Sequence, residues 1–148
     1  MDDRTLRIAI VLIGHLMWLS TAAIRMLRGE QALGVAGRRS LVIQLYQYLV
    51  WVPLVGATFF ATGQADLAPE WQVAGVAIAL VSSLLGAWAM WTAPRSRYPG
   101  IVGYHVGAAL ALESIALLVA TVVLVLPYTA ARVIAERRSD PSIGAVPR

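Results

Sequence analysis

Cysteine is absent from this 148-residue chain, and lysine is absent too, so all 12 basic side chains are arginine. Without cysteine there is no disulfide, iron–sulfur cluster, thiolate zinc site, covalent c-type haem or cysteine nucleophile. Without lysine there is no P-loop lysine and no Schiff-base lysine for retinal or any other carbonyl. Histidine is nearly absent, with only His15 and His105. Two histidines suffice for at most one bis-histidine haem and cannot build a multi-histidine metal centre, so no metal site is assigned. Charge is scarce as well: 14% of residues, against about 25% in an average soluble domain.

Apolar residues fill the space that charge leaves. They make up 59% of the chain, and the mean hydropathy is +0.71. That share is too high for a surface facing water, which excludes an ordinary soluble enzyme, a disordered chain and a nucleic-acid-binding domain. The net charge of +4 does not restore a nucleic-acid partner. The arginines stand at the ends of apolar runs, where membrane proteins keep them.

A membrane-crossing helix needs about 20 mostly apolar residues, because each rises ~1.5 Å through a layer ~30 Å thick. Four stretches meet this length, at about 6–27, 41–62, 71–93 and 101–131. None alternates like a barrel strand. The expected fold is therefore an all-α integral membrane protein, a four-transmembrane-helix up-down bundle with short loops, over residues 1–131. Residues 132–148 form a polar C-terminal tail. Ser40 is a plausible N-cap for the second helix, and Asp66 and Glu70 suit the start of the third. Pro53 and Pro127 are expected to kink the second and fourth helices. The Asp2-Asp3 start argues against a cleaved signal peptide.

With four crossings, both termini and the second loop share one face. That face holds Arg4, Arg7, Arg132, Arg137, Arg138 and Arg148; the other holds Arg25, Arg28, Arg38, Arg39, Arg95 and Arg97. Six against six gives no orientation by the positive-inside rule. The short loops taken alone favour termini outside, and the tail pulls the other way. The compartment expected is a bacterial cytoplasmic (inner) membrane.

Glu113 falls near the middle of the fourth stretch, where an ionised group is costly and must be neutral, paired or beside water. It reads either as a proton-relay carboxyl or as a hydrogen-bonded packing residue. His15 lies at a similar expected depth in the first helix, so the two would meet if those helices were adjacent. His105 is expected near the interface. There Gln47, Tyr48 and Tyr104 could join it around a headgroup, quinone or pigment edge, or form an ordinary aromatic belt with Trp88 and Trp91. Gly103, Gly107 and Ala111 make a small-residue ridge for helix packing, as do Ala79, Ser83 and Ala87. His15 followed by Trp18 resembles the first helix of the four-helix membrane-bound protoporphyrinogen oxidases and copper-resistance membrane proteins at those positions alone. The lysine and further histidines of the oxidases are missing, and no residue role is carried over.

The expected function is a non-catalytic accessory or structural subunit of a larger bacterial membrane complex, with electron transport as one setting. Its partners would be the lipid bilayer and other membrane-protein subunits, not nucleic acid. The alternatives are a small proton-coupled transporter using Glu113 and a haem, quinone or pigment binder using His15 or His105. No cofactor is required by the residues. If one histidine held haem or pigment, the purified protein would show its visible absorption bands; a colourless sample excludes both.

Overall fold

In a computed structural model of the protein, which describes residues 3–27, 49, 52–92 and 97–138, every element among the described residues is helical. The helices are α1 (Asp3–Leu27), α2 (Val52–Thr58), α3 (Pro69–Thr92), α4 (Arg97–Ala111), α5 (Ile115–Ala120) and α6 (Leu126–Arg138). A π-helical turn, Thr121–Val125, joins α5 to α6 without a break. It directly precedes the Leu126–Pro127 pair, where proline has no N–H to continue the ordinary ladder. Among the described residues two helices are long and apolar enough to cross a membrane: Pro69–Thr92 and the continuous run Ile115–Ile134. Of the second expected stretch, 41–62, residues 41–48, 50 and 51 lie outside the described residues, together with Ser40. Gln47 and Tyr48 are among them. In the described part the helix ends at Thr58, short of 62, because the chain turns there into the 59–68 loop.

The start of α3 follows from its residues. Pro69 occupies the first turn, where its missing N–H costs nothing. Glu70 adds a carboxyl at the positive end of the helix, and Trp71 N–H donates to Ala68 O at 2.9 Å.

The centre of the bundle is α4, packed against α1, α3 and α5–α6. Its Tyr98, Gly100, Tyr104, His105, Gly107, Ala108, Ala109 and Ala111 are all buried. Against α3 the fit is backbone to backbone. A Cβ on Gly75 would collide with the Ala111 amide and with Gly107 O, at 2.7 Å from the latter. One on Gly107 would collide with the backbone of Ala79, and one on Gly100 would sit 2.7 Å from Gly86 Cα. A Cβ on Gly103 would strike Ser82. The pairings 75–111, 79–107, 82–103 and 86–100 keep one register, so the two helices run antiparallel. Gly103, Gly107 and Ala111 thus lie against α3, on a strip made by Gly75, Ala79, Ser82 and Gly86. Ser83 and Ala87 turn toward α1, where they border a small gap with Ile13, Leu16 and Ser20. Helices α1 and α3 run parallel: Arg7 near the start of α1 bonds Thr62 in the segment leading into α3, and farther along residues 13–20 lie beside 80–87.

The fourth stretch differs from the sequence expectation of one helix over 101–131. It is interrupted at residues 112–114, and α5–α6 returns along α4. A straight continuation would carry Leu126 about 20 Å beyond Ala111 at ~1.5 Å per residue. Instead α6 touches α4. Helix α1 starts beside the 59–68 loop, where Arg7 bonds Thr62, and α6 ends at the other end of the bundle. The two ends of the described chain are therefore at opposite ends, not together.

The close α3–α4 contact sets a clear test. Gly107→Ala should lower stability by ~1–3 kcal/mol through overpacking, read as a lower melting temperature in detergent micelles. Gly56→Ala, where nothing stands within 4 Å of the new methyl, should be neutral or raise stability by up to ~1 kcal/mol from helix propensity.

Candidate functional site

The chemistry-bearing residues converge on the turn between α4 and α5. Helix α4 closes with two bonds: Glu113 N–H donates to Leu110 O at 3.2 Å, and Ser114 N–H reaches back to Ala109 O at 2.9 Å. This is the Schellman closure, which requires a left-handed residue one place past the cap, usually glycine. Here Glu113 takes that conformation, with φ 51°. Ser114 then begins α5 as its N-cap. Its Oγ accepts from Leu117 N–H at 3.0 Å and donates to Thr58 O at 3.2 Å.

The segment between α2 and α3 is strapped across this turn. Gly63 N–H donates to Leu112 O at 3.1 Å, and Glu113 O accepts from Gln64 N–H at 2.8 Å and Ala65 N–H at 3.1 Å. Glu113 Oε1 accepts from Leu67 N–H at 3.1 Å. Gln64 returns the favour: its Oε1 accepts from Ala116 N–H in the first turn of α5 at 2.8 Å. Backbone groups freed by ending one helix and starting the next are thus satisfied inside the protein.

Glu113 is therefore not a mid-helix acid. It is half-buried in a turn, and its carboxylate holds a loop amide. His15 does not share its level. It lies in α1 eight residues past Arg7, ~12 Å farther along the axis, and its side chain is outside the described ones.

His105 and Tyr104 are also placed differently from expectation. Both lie in the middle of α4, opposite the middle of α3, and are 5% exposed. The His105 ring is 5.2 Å from Tyr104 and 6.2 Å from Phe59, edge-on to both. Its Nδ1 is 2.8 Å from Ile101 O. The Tyr104 hydroxyl donates to Ile10 O in α1 at 2.9 Å, over Gly14, where a Cβ would collide with that hydroxyl. So the tyrosine is a buried tie between α1 and α4. Trp88 and Trp91 lie exposed near the end of α3, away from this mid-helix cluster.

Outside the bundle, α2, α5 and the π turn border an open apolar groove of about 580 Å³. Leu54, Val119 and Val123 line it, with Thr58 and Gln64 contributing its polar edge. Among the described residues no group of three or more histidine, aspartate or glutamate side chains could hold a metal ion. Comparison with family models, curated proteins and solved structures finds no match to this chain.

A signal for the turn was present in the sequence. Glu113-Ser114 is a polar pair inside a 31-residue apolar run, and serine is a preferred N-cap. The strap residues Gly63 and Leu67 carried no such signal, because their bonds are made by backbone N–H groups, and nothing in the spacing paired the Gln64 side chain with Ala116.

Substitutions at residue 113 separate backbone from carboxylate. Glu113→Ala removes the Leu67 bond and keeps the left-handed strain, costing ~1–3 kcal/mol. Glu113→Gly removes the same bond but relieves ~1 kcal/mol of strain, so it should melt higher than the alanine variant. Tyr104→Phe should cost ~1 kcal/mol through loss of the hydroxyl's bond to α1, read in the same thermal melts.

Proposed function

We propose that the protein is a multi-pass helical membrane protein serving as a non-catalytic, structural subunit of a larger membrane assembly. The observation that carries the membrane reading is the distribution of side-chain size. Small residues face inward: Gly75, Ala79, Ser83 and Gly86 on α3 are buried. Large apolar residues face outward, with Val73 at 70%, Leu84 at 63% and Trp88 at 65% exposure on α3, and Val123 at 60% beyond α5. A water-soluble bundle would bury these. In lipid, helices associate through small-residue contacts instead. Trp71 and Trp91 stand ~30 Å apart along α3, the thickness of the hydrocarbon layer, where interfacial tryptophans belong.

Helix hydroxyls fit the same solvent. Ser83 donates to Ala79 O at 2.8 Å, Thr121 to Leu117 O at 2.7 Å and Thr92 to Trp88 O at 3.1 Å. Each is satisfied within its own helix, as a group without water must be.

The subunit reading is supported by the sealed middle of the bundle. Helix α4 is enclosed and meets α3 through bare backbone, which leaves no path along the α3–α4 seam. The carboxyl of Glu113, the candidate proton carrier, is engaged in holding the 59–68 strap. What remains open is the outer apolar surface, which can pack against lipid or other membrane helices. Five crossings belong to this proposal: α1, the 41–62 stretch, α3, α4 and α5–α6, the last two taking the place of the single fourth crossing expected from the sequence.

The test is extraction and sizing. The full chain should resist carbonate extraction from membranes. In mild detergent, at native expression, it should migrate in a stoichiometric complex with other membrane polypeptides. A stable, uncomplexed monomer would contradict the subunit role.

A further inference from the structure

The reversal at residues 112–114 changes which arginines share a face. One end of the bundle carries the start of α1, the 59–68 strap and the Glu113 turn. Among described residues it holds two arginines, Arg4 and Arg7, against four carboxyl residues: Asp3, Asp66, Glu70 and Glu113. The opposite end carries the end of α1, the start of α4 and the end of α6. Among described residues it holds five arginines, Arg25, Arg97, Arg132, Arg137 and Arg138, against one carboxyl residue, Glu136. The tie of six against six rested on a fourth helix that crosses once. With the chain folding back, the tie is gone.

Resting on the membrane reading above, we infer that the two termini lie on opposite faces of the membrane. The arginine-bearing end, with the C-terminus, faces the cytoplasm and meets the anionic headgroups of that leaflet. The acidic end, with the N-terminus and the strap, faces outside. Basic residues close to helix ends are retained on the cytoplasmic side during insertion, whereas acidic residues contribute little. Anionic lipids of the cytoplasmic leaflet attract the same residues afterwards. The lone carboxyl in the turn that builds this asymmetry, Glu113, is consequently at the outer end and not in the middle of the bilayer.

The absence of cysteine makes the test clean. Asp2→Cys, before α1, and Ser139→Cys, after α6, are made singly in the full chain and expressed in bacterial spheroplasts. A membrane-impermeant maleimide should label Asp2→Cys in intact spheroplasts. It should label Ser139→Cys only after permeabilisation. Labelling of both sites from the same side, or of Ser139→Cys from outside, would overturn the inference. Release of the chain into the carbonate supernatant is a separate outcome that overturns the membrane reading itself. A chain that stays in the membrane with both ends on one face overturns only the orientation.

Discussion

A helix that ends inside an apolar assembly must find partners for its last carbonyls, and the next helix must find partners for its first amides. Where those groups are buried against other residues, an unmet one costs free energy comparable to a lost hydrogen bond. At residues 112–114 the protein meets both demands within three residues. The Schellman bonds close α4, Ser114 opens α5, and the 59–68 strap takes up Leu112 O and Glu113 O. Without this turn the chain would continue straight, α4 would lose its covering on one side, and the C-terminal arginines would emerge at the opposite end.

The second constraint is the bare backbone of α4. Glycine at 100, 103 and 107 lets α3 approach until a single added methyl would clash. Close packing of this kind gains dispersion contacts without needing water to be expelled, which is the form of helix association available in lipid. It also explains why the polar side chains in the core are few and tied. Tyr104 spans to α1 through Ile10 O, and Ser83 and Thr121 bond back along their own helices. The interior thus holds these polar groups in fixed structural bonds.

Helical character, the start of α3 at Pro69–Glu70 and the ridge at Gly103, Gly107 and Ala111 were legible from composition and spacing. The partner strip was only partly so. Ala79 lies on it, but the four-residue rule extended it to Ser83 and Ala87, whereas the contact drifts to Ser82 and Gly86. The turn at Glu113 was misread because Ala-Leu-Ala-Leu-Glu-Ser-Ile carries neither glycine nor proline, the usual marks of a helix end. A left-handed glutamate is a tertiary choice, stabilised by strap amides about 50 residues earlier in the chain. The 31-residue length of that stretch was the physical clue, since one crossing needs only about 20. His105 was placed near a helix end because the expected helix began at 101; the helix begins at Arg97 and ends at Ala111, which puts residue 105 at its middle.

The central claim is that α5–α6 returns antiparallel to α4. A pair of nitroxide labels on cysteines replacing Leu85 and Ile134, both exposed, measures it directly by pulsed electron resonance in detergent or bilayer. If the chain reverses at Glu113, both labels sit toward the same end of the bundle, and the distance should fall below ~30 Å. If the fourth stretch runs on as one helix, Ile134 lies far beyond the opposite end, and a distance of about 50 Å would contradict the account.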